Sequence, residues 1–292
     1  MKKFLHIFIP AVLLLFTACA QINEEDIPED TAVVTEDAEP YPVTVGSLVF
    51  NGSPDTAASI SPALTEIIAE LGLSDRLVGR SVYCVYPDEV KALDALGSAA
   101  NPDIDAIKNK APQLLLSQSP IAKKDITAIE NAGSRVLIIP APSSAEGIKE
   151  LYRDIYHVFY GETEEMSDII DGAFEPLDKS MAEKQGFLKD FVYILTPDLS
   201  VASVNTFQGE FFSHYGENLA GKNDTLTAED IVALDPDYII LPPELTADML
   251  PEELADIAAV SLSEESEQLL ERPTARVYLA AEQLFTDINE KK

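Results

Sequence analysis

The chain has 292 residues, with 51 Asp and Glu against 20 Lys and Arg and a formal net charge of −31. That balance excludes nucleic acid as a natural partner, because phosphate binding needs clustered Lys and Arg; for most of these carboxylates the role is solubility. Two Cys and three His leave little from which to build a His-rich transition-metal site.

Lys2 and Lys3, an apolar run over 4–16 and Thr17-Ala18-Cys19 follow the three-part plan of an export signal, in a stretch too short to span a bilayer. Small residues before a lone Cys resemble the lipobox of bacterial lipoproteins, where the Cys thiol takes a diacylglycerol and the signal is cut before it. Phe16 departs from the Leu, Val or Ile usual in that motif. The resemblance implies a signal peptide over 1–18, lipidation of Cys19 and a protein held by its lipid on the outer face of the cell membrane; the plainer alternative is a signal peptide with an incidental Cys. Residues 19–43 read as the lipidated Cys and an acidic, disordered linker that stands the folded part off the membrane. His6 leaves with the signal, and Cys84 is then the only free thiol, so no intramolecular disulfide is available.

From residue 57 onward, strand and helix signals alternate. A strand end at 58–60 runs into Ser61-Pro62, an N-cap with proline at the first helical position, and a helix over 63–71 stopped by Gly72. Strands follow at 77–82, 113–117 and 135–139, with helices at 103–110 and 121–132 between them. Alternation of this kind implies a parallel sheet with helices on both faces. Strand signals then vanish. Ile148, Leu151, Ile155 and Phe159 mark one apolar helical stripe that ends at Gly161, and a second helix spans about 164–184, with Met166, Ile169, Ile170, Phe174, Leu177 and Met181 at helical spacing. A strand at 191–195, helices at 211–219 and 228–234, a strand at 238–241 and a terminal helix over 273–289 complete the pattern. The predicted organisation is an N-terminal lobe over 44–160, a linking helix over 161–186 and a C-terminal lobe over 187–292.

One internal repeat stands out. Asp105 is followed by Ile107, Pro112 and the apolar run from Leu114; Glu229 is followed at the same spacings by Ile231, Pro236 and the run from Tyr238. Each copy predicts a short helix, a proline-bearing turn and a buried strand. The carboxylate sits in the helix's first turn, where the macrodipole stabilises it. Acids that merely favour helix starts are the plain alternative; one exposed carboxylate at equivalent places on two lobes would also suit a twofold-symmetric partner.

The run from Ser59 to Glu66, then Leu71-Gly72, Val78-Gly79, Tyr83-Cys84-Val85-Tyr86-Pro87, Asp105 with Ala111-Pro112, Glu229 with Asp235-Pro236, and Glu271-Arg272-Pro273-Thr274-Ala275-Arg276 occur in this order. Together they resemble the substrate-binding proteins of iron-chelate and cobalamin ABC importers, over roughly 54–289. The resemblance implies an α/β class III periplasmic-binding-protein fold, two Rossmann-like lobes with mainly parallel sheets joined by one long α-helix, with the ligand in the cleft between them. It also implies that Asp105, shorter than the more usual Glu, and Glu229 dock on arginines of the permease. The protein would be a monomer without a cofactor of its own, any iron or cobalt arriving with the ligand, a small-molecule metal chelate or corrinoid.

Ligand contacts on this fold fall at the ends of strands. By position these are Ser61, Thr65, Tyr83, Tyr86, Gln118 and Ser119 in the first lobe, and Asn205, Thr206, Phe207 and Glu244 in the second, each with an ordinary packing role as the alternative. Cobalamin carriers of this family use several Trp; this chain has none and shows Gln118 at one such position. A convergent Arg set for a strongly anionic chelate is not apparent in the sequence either. A neutral or weakly charged ferric chelate and a corrinoid both remain open. An enzyme reading finds no Gly-x-Ser-x-Gly, His-Glu-x-x-His or phosphate-cradling loop, which leaves a hydrolase disfavoured and a surface ligand-sensing or adhesion lipoprotein on the same fold as the other alternative.

Overall fold

The computed structural model describes residues 39–290. The expected signal peptide, Cys19 and most of the acidic linker lie outside the described residues. The first described element is a short antiparallel hairpin, β1 (Val43–Val45) with β2 (Leu48–Phe50), which three-residue strands leave too brief to show a period in sequence. Two four-stranded parallel sheets follow, and they repeat one topology.

The first sheet uses β3 (Ala57–Ser59), β4 (Leu77–Gly79), β5 (Leu114–Ser117) and β6 (Arg135–Ile138) in the order β4-β3-β5-β6. Its helices are α1 (Pro62–Glu70), α2 (Ile104–Lys110) and α3 (Lys123–Glu130). β3 and β5 are buried along their whole length, as expected of parallel strands covered on both faces. β4 stops at Gly79 rather than running to residue 82. Beyond Gly79 the chain leaves β3 and bonds instead to residues 94–97, with Arg80 N donating to Asp94 O and Val82 N to Gly97 O.

Two helices then cross the molecule. α4 (Ala145–Tyr160) is capped by the Ser144 hydroxyl, which accepts from Gly147 N at 3.0 Å, and it buries the predicted stripe of Ile148, Leu151, Ile155 and Phe159. It ends at Gly161, whose φ of 74° suits glycine. α5 (Met166–Glu183) buries Ile170, Phe174 and Leu177 and leaves Ile169 outward; Phe174 meets Tyr152 of α4 edge-on at 4.9 Å.

The second sheet uses β7 (Lys189–Tyr193), β8 (Gly216–Asn218), β9 (Tyr238–Leu241) and β10 (Ala259–Ser261) in the order β10-β9-β7-β8. Matching first strand to first strand, this is the order of the first sheet. Its helices are α6 (Phe207–Ser213), α7 (Ala228–Leu234), α8 (Glu264–Glu271) and the terminal α9 (Tyr278–Glu290). The helix expected over 211–219 is corrected here: α6 starts at the Thr206 cap, and Gly216–Asn218 pairs in parallel with Lys189–Phe191. A Cβ at Gly216 would meet Lys189 O at 2.3 Å, so close backbone approach, invisible in an apolar count, decides for strand. The terminal helix likewise starts at Tyr278 rather than at residue 273.

The outer face of each sheet has its own apolar cluster. A third core runs without a break from Leu64 and Ile67 through Tyr152 and Phe174 to Phe211 and Leu284, so helices α4, α5 and α9 weld the lobes through packed side chains rather than through a strand hinge.

Candidate functional site: an interlobe cavity at the strand ends

Where a strand leaves its sheet, the next backbone groups lose their ladder partners and need others. Four loops solve this with a buried serine whose Oγ accepts from the backbone N–H two residues further on. Ser59 Oγ accepts from Ser61 N at 3.2 Å and donates to Ser61 O at 2.8 Å. Ser117 Oγ does the same for Ser119, at 3.2 and 2.7 Å. Ser81 Oγ accepts from Tyr83 N at 3.2 Å, and Ser203 Oγ from Asn205 N at 3.4 Å. All four serines are fully buried. Such local turns fix the loop without any partner from solvent.

Three of these loops meet the C-terminal end of α8 across a cavity of about 800 Å3, inside the range of about 300–1,000 Å3 typical of small-molecule sites. Ser61, Tyr83, Gln118 and Ser119 line one side, with Val82 and Val85; Gln268, Glu271 and Arg272 line the other. Tyr83 is 67% exposed and Val82 and Val85 are each 48% exposed, an apolar lip left open by the described residues. Gln118 is held in place because its Oε1 accepts from Ser61 Oγ at 2.7 Å. Its Nε2 is shut off from solvent and has no partner among the described residues. A buried donor without an acceptor is costly, and a rim carbonyl or carboxylate of a bound molecule would satisfy it.

Of the ten ligand-contact positions expected from sequence, these four come together. Thr65 stays inside α1, where its hydroxyl donates to Ser61 O at 2.9 Å and backs the rim without lining it. Tyr86 lies outside the lining, its ring 3.5 Å from the Arg276 guanidinium. In the second lobe Thr206 caps α6 by accepting from Gly209 N at 3.1 Å, and Phe207 is buried and stacked on Phe211 with centroids 5.9 Å apart. Asn205 and Glu244 are exposed and do not line the cavity. Sequence reasoning missed Arg272 and the pinning serines; the latter carry a readable sign, a Ser two residues before each strand-end position.

Behind the cavity a charged cluster joins the lobes. Glu66 of α1 has a side chain only 2% exposed, with Arg276 Nη1 at 3.5 Å and Arg272 Nε at 3.9 Å. Burial pushes its carboxyl up to about 7, against the pull of Arg272 and Arg276 and with some help from Glu70. Glu70 is also raised by burial and accepts from the Tyr152 hydroxyl, which in turn accepts from Ala275 N at 3.0 Å. Arg272 Nη1 donates to Tyr83 O at 3.3 Å. The second-lobe wall is acidic: burial, then Glu244, Glu271 and Glu264, raise the Glu267 carboxyl.

The repeated acids occupy matching places. Asp105 and Glu229 are both exposed second residues of short helices, α2 and α7, which both end in left-handed residues, Ala111 at φ 45° and Asp235 at φ 52°. Proline and a buried central strand follow each.

No protein-family model matches the chain. It is 25% identical over 228 residues to the uncharacterized ABC transporter substrate-binding lipoprotein YvrC of Bacillus subtilis, with 69% of each chain covered. Among solved structures it is similar to the periplasmic heme-binding protein HutB of Vibrio cholerae, with TM-score 0.65, 16% identity, and 79% of this chain and 97% of the other covered. It is also similar to the periplasmic vitamin B12-binding protein BtuF of Vibrio cholerae, with TM-score 0.58, 19% identity and coverage of 82% and 99%. The resemblance drawn from sequence and the expected class III periplasmic-binding-protein fold are both borne out.

Proposed function

We propose that this chain, which has the class III periplasmic-binding-protein fold and is related to the substrate-binding lipoproteins of ABC transporters, captures a metal chelate or corrinoid in the interlobe cavity and delivers it to an ABC importer. The observation that carries this reading is the cavity itself: about 800 Å3, framed by Ser61, Tyr83, Gln118 and Ser119 at strand ends of one lobe and by Arg272 of the other. Its lining offers hydroxyl, amide, phenol and guanidinium groups beside an apolar lip, chemistry suited to gripping the face and rim of an organic chelate. Any metal is therefore cargo within the ligand. Cys19 is the lipid anchor in this account, placing the carrier on the outer face of the membrane as a monomer, and Asp105 and Glu229 are its contacts with the permease. The protein is a carrier rather than an enzyme.

Thermal melts with haemin, cyanocobalamin, ferrioxamine B and a ferric catecholate test the reading, because a ligand that binds only the folded state stabilises it by about 2.7 kcal/mol at a hundredfold excess over Kd. At least one should raise Tm by several degrees. A flat response to all four would refute capture of this ligand class.

A further inference from the structure

We propose that Arg272 is the specificity-determining residue of the cavity: its guanidinium binds a carboxylate arm of the captured chelate, and Glu66 takes up one proton from solvent as it yields Arg272 to that arm. The proposal rests on the chelate-capture reading and sharpens it.

Arg272 is the only cationic side chain among the described residues that line the cavity. Its contacts leave capacity. Nε donates to Gln268 O at 3.1 Å, Nη1 to Tyr83 O at 3.3 Å and Nη2 to Gln268 Oε1, so two of the five N–H donors of the fork are unspent. The nearest Glu66 oxygen stands 3.9 Å from Nε, close enough for charge attraction and too far for a hydrogen bond. A carboxylate entering from the cavity would find those two donors pre-set in the planar fork that carboxylates fit.

Glu66 decides how strongly Arg272 is already engaged. It is faced by Arg272 and Arg276 from the segment after α8, by Glu70 one turn along α1, by Cys84 from the loop after β4 and, through Glu70, by Tyr152 of α4. With burial holding its carboxyl near 7, the ionised form competes for Arg272 and the protonated form does not. A second anion at Arg272 adds repulsion and tips Glu66 to the protonated side. Glu271 on the same wall opposes a polyanion, so the favoured ligand carries one or two carboxylates on an otherwise uncharged rim.

The test compares haemin with haemin dimethyl ester, which differ only in their carboxylates, and adds cyanocobalamin and ferrioxamine B, which have none. Equilibrium binding is measured at pH 6 and pH 8 for the wild type, Arg272→Gln and Glu66→Gln. The expected result is a preference of about tenfold or more for haemin over its ester at pH 6, shrinking toward pH 8 by up to about tenfold per pH unit, the limit for one linked proton. Arg272→Gln should abolish the preference, haemin and its ester then binding alike at both pH values, and Glu66→Gln should make it independent of pH. Equal binding of haemin and ester by the wild type, a preference that survives Arg272→Gln, or tightest binding of a carboxylate-free chelate overturns the inference and leaves chelate capture standing. A pH dependence unchanged in Glu66→Gln overturns the role of Glu66. Binding of none of the four by the wild type overturns both readings.

Discussion

Replacing Glu66 with Gln should remove a pH dependence of stability that this carboxyl imposes on the whole fold. Its value of about 7 lies above the ordinary 4.5, so the folded protein holds the proton more tightly than the unfolded chain does. The resulting stabilisation is complete below about 4.5 and is lost as pH rises through about 7. The gap between 4.5 and about 7, at about 1.36 kcal/mol per pH unit, amounts to about 3 kcal/mol across that window. For a domain of this size about 2–4 °C of Tm accompanies each kcal/mol, giving roughly 6–12 °C. Gln keeps an oxygen toward Arg276 and cannot ionise, so it imitates the protonated form at every pH. Glu70 and general acidic repulsion act in the same direction in both proteins; the difference between their melts at pH 5 and pH 8 isolates Glu66. Parallel pH profiles for the wild type and Glu66→Gln would refute the reasoning, because the buried acid would then have no linkage to folding.

The double variant Asp105→Arg, Glu229→Arg should abolish stimulation of the partner importer's ATPase while chelate affinity stays within about twofold, since both acids are exposed on helix starts outside the cavity lining; full stimulation would remove them from the docking surface. Ser117→Ala leaves Ser119 N and O without their buried partner and should cost about 1–3 kcal/mol in urea unfolding, with weaker chelate binding as the Gln118 loop loosens; an unchanged midpoint would show that the serine pins nothing.

What the sequence made legible was local. The matched series of Asp105, Pro112 and Leu114 with Glu229, Pro236 and Tyr238 encodes helix, turn and strand within a dozen residues, and both copies form as expected. Strand-end position likewise brought Ser61, Tyr83, Gln118 and Ser119 to one cavity. What was hidden depends on distant pairing. Gly216 enters a strand only because Lys189 lies beside it. Arg276 and Glu66 are 210 residues apart in the chain, and no spacing rule foretells that they share a buried cluster. The second-lobe loop misled for a third reason: Thr206 and Phe207 close the long connection that follows β7, and there helix capping and aromatic packing claim both side chains.

The cavity can be watched directly because the chain has no Trp, so a single introduced indole is a clean reporter. Val85 lines the cavity and is 48% exposed, whereas Val49 on the β1–β2 hairpin is 51% exposed and does not line it. Titrating Val85→Trp and Val49→Trp with the coloured chelate that shifts Tm should quench the first strongly and saturably and the second weakly. Equal quenching at the two positions would place the chelate elsewhere and contradict the account.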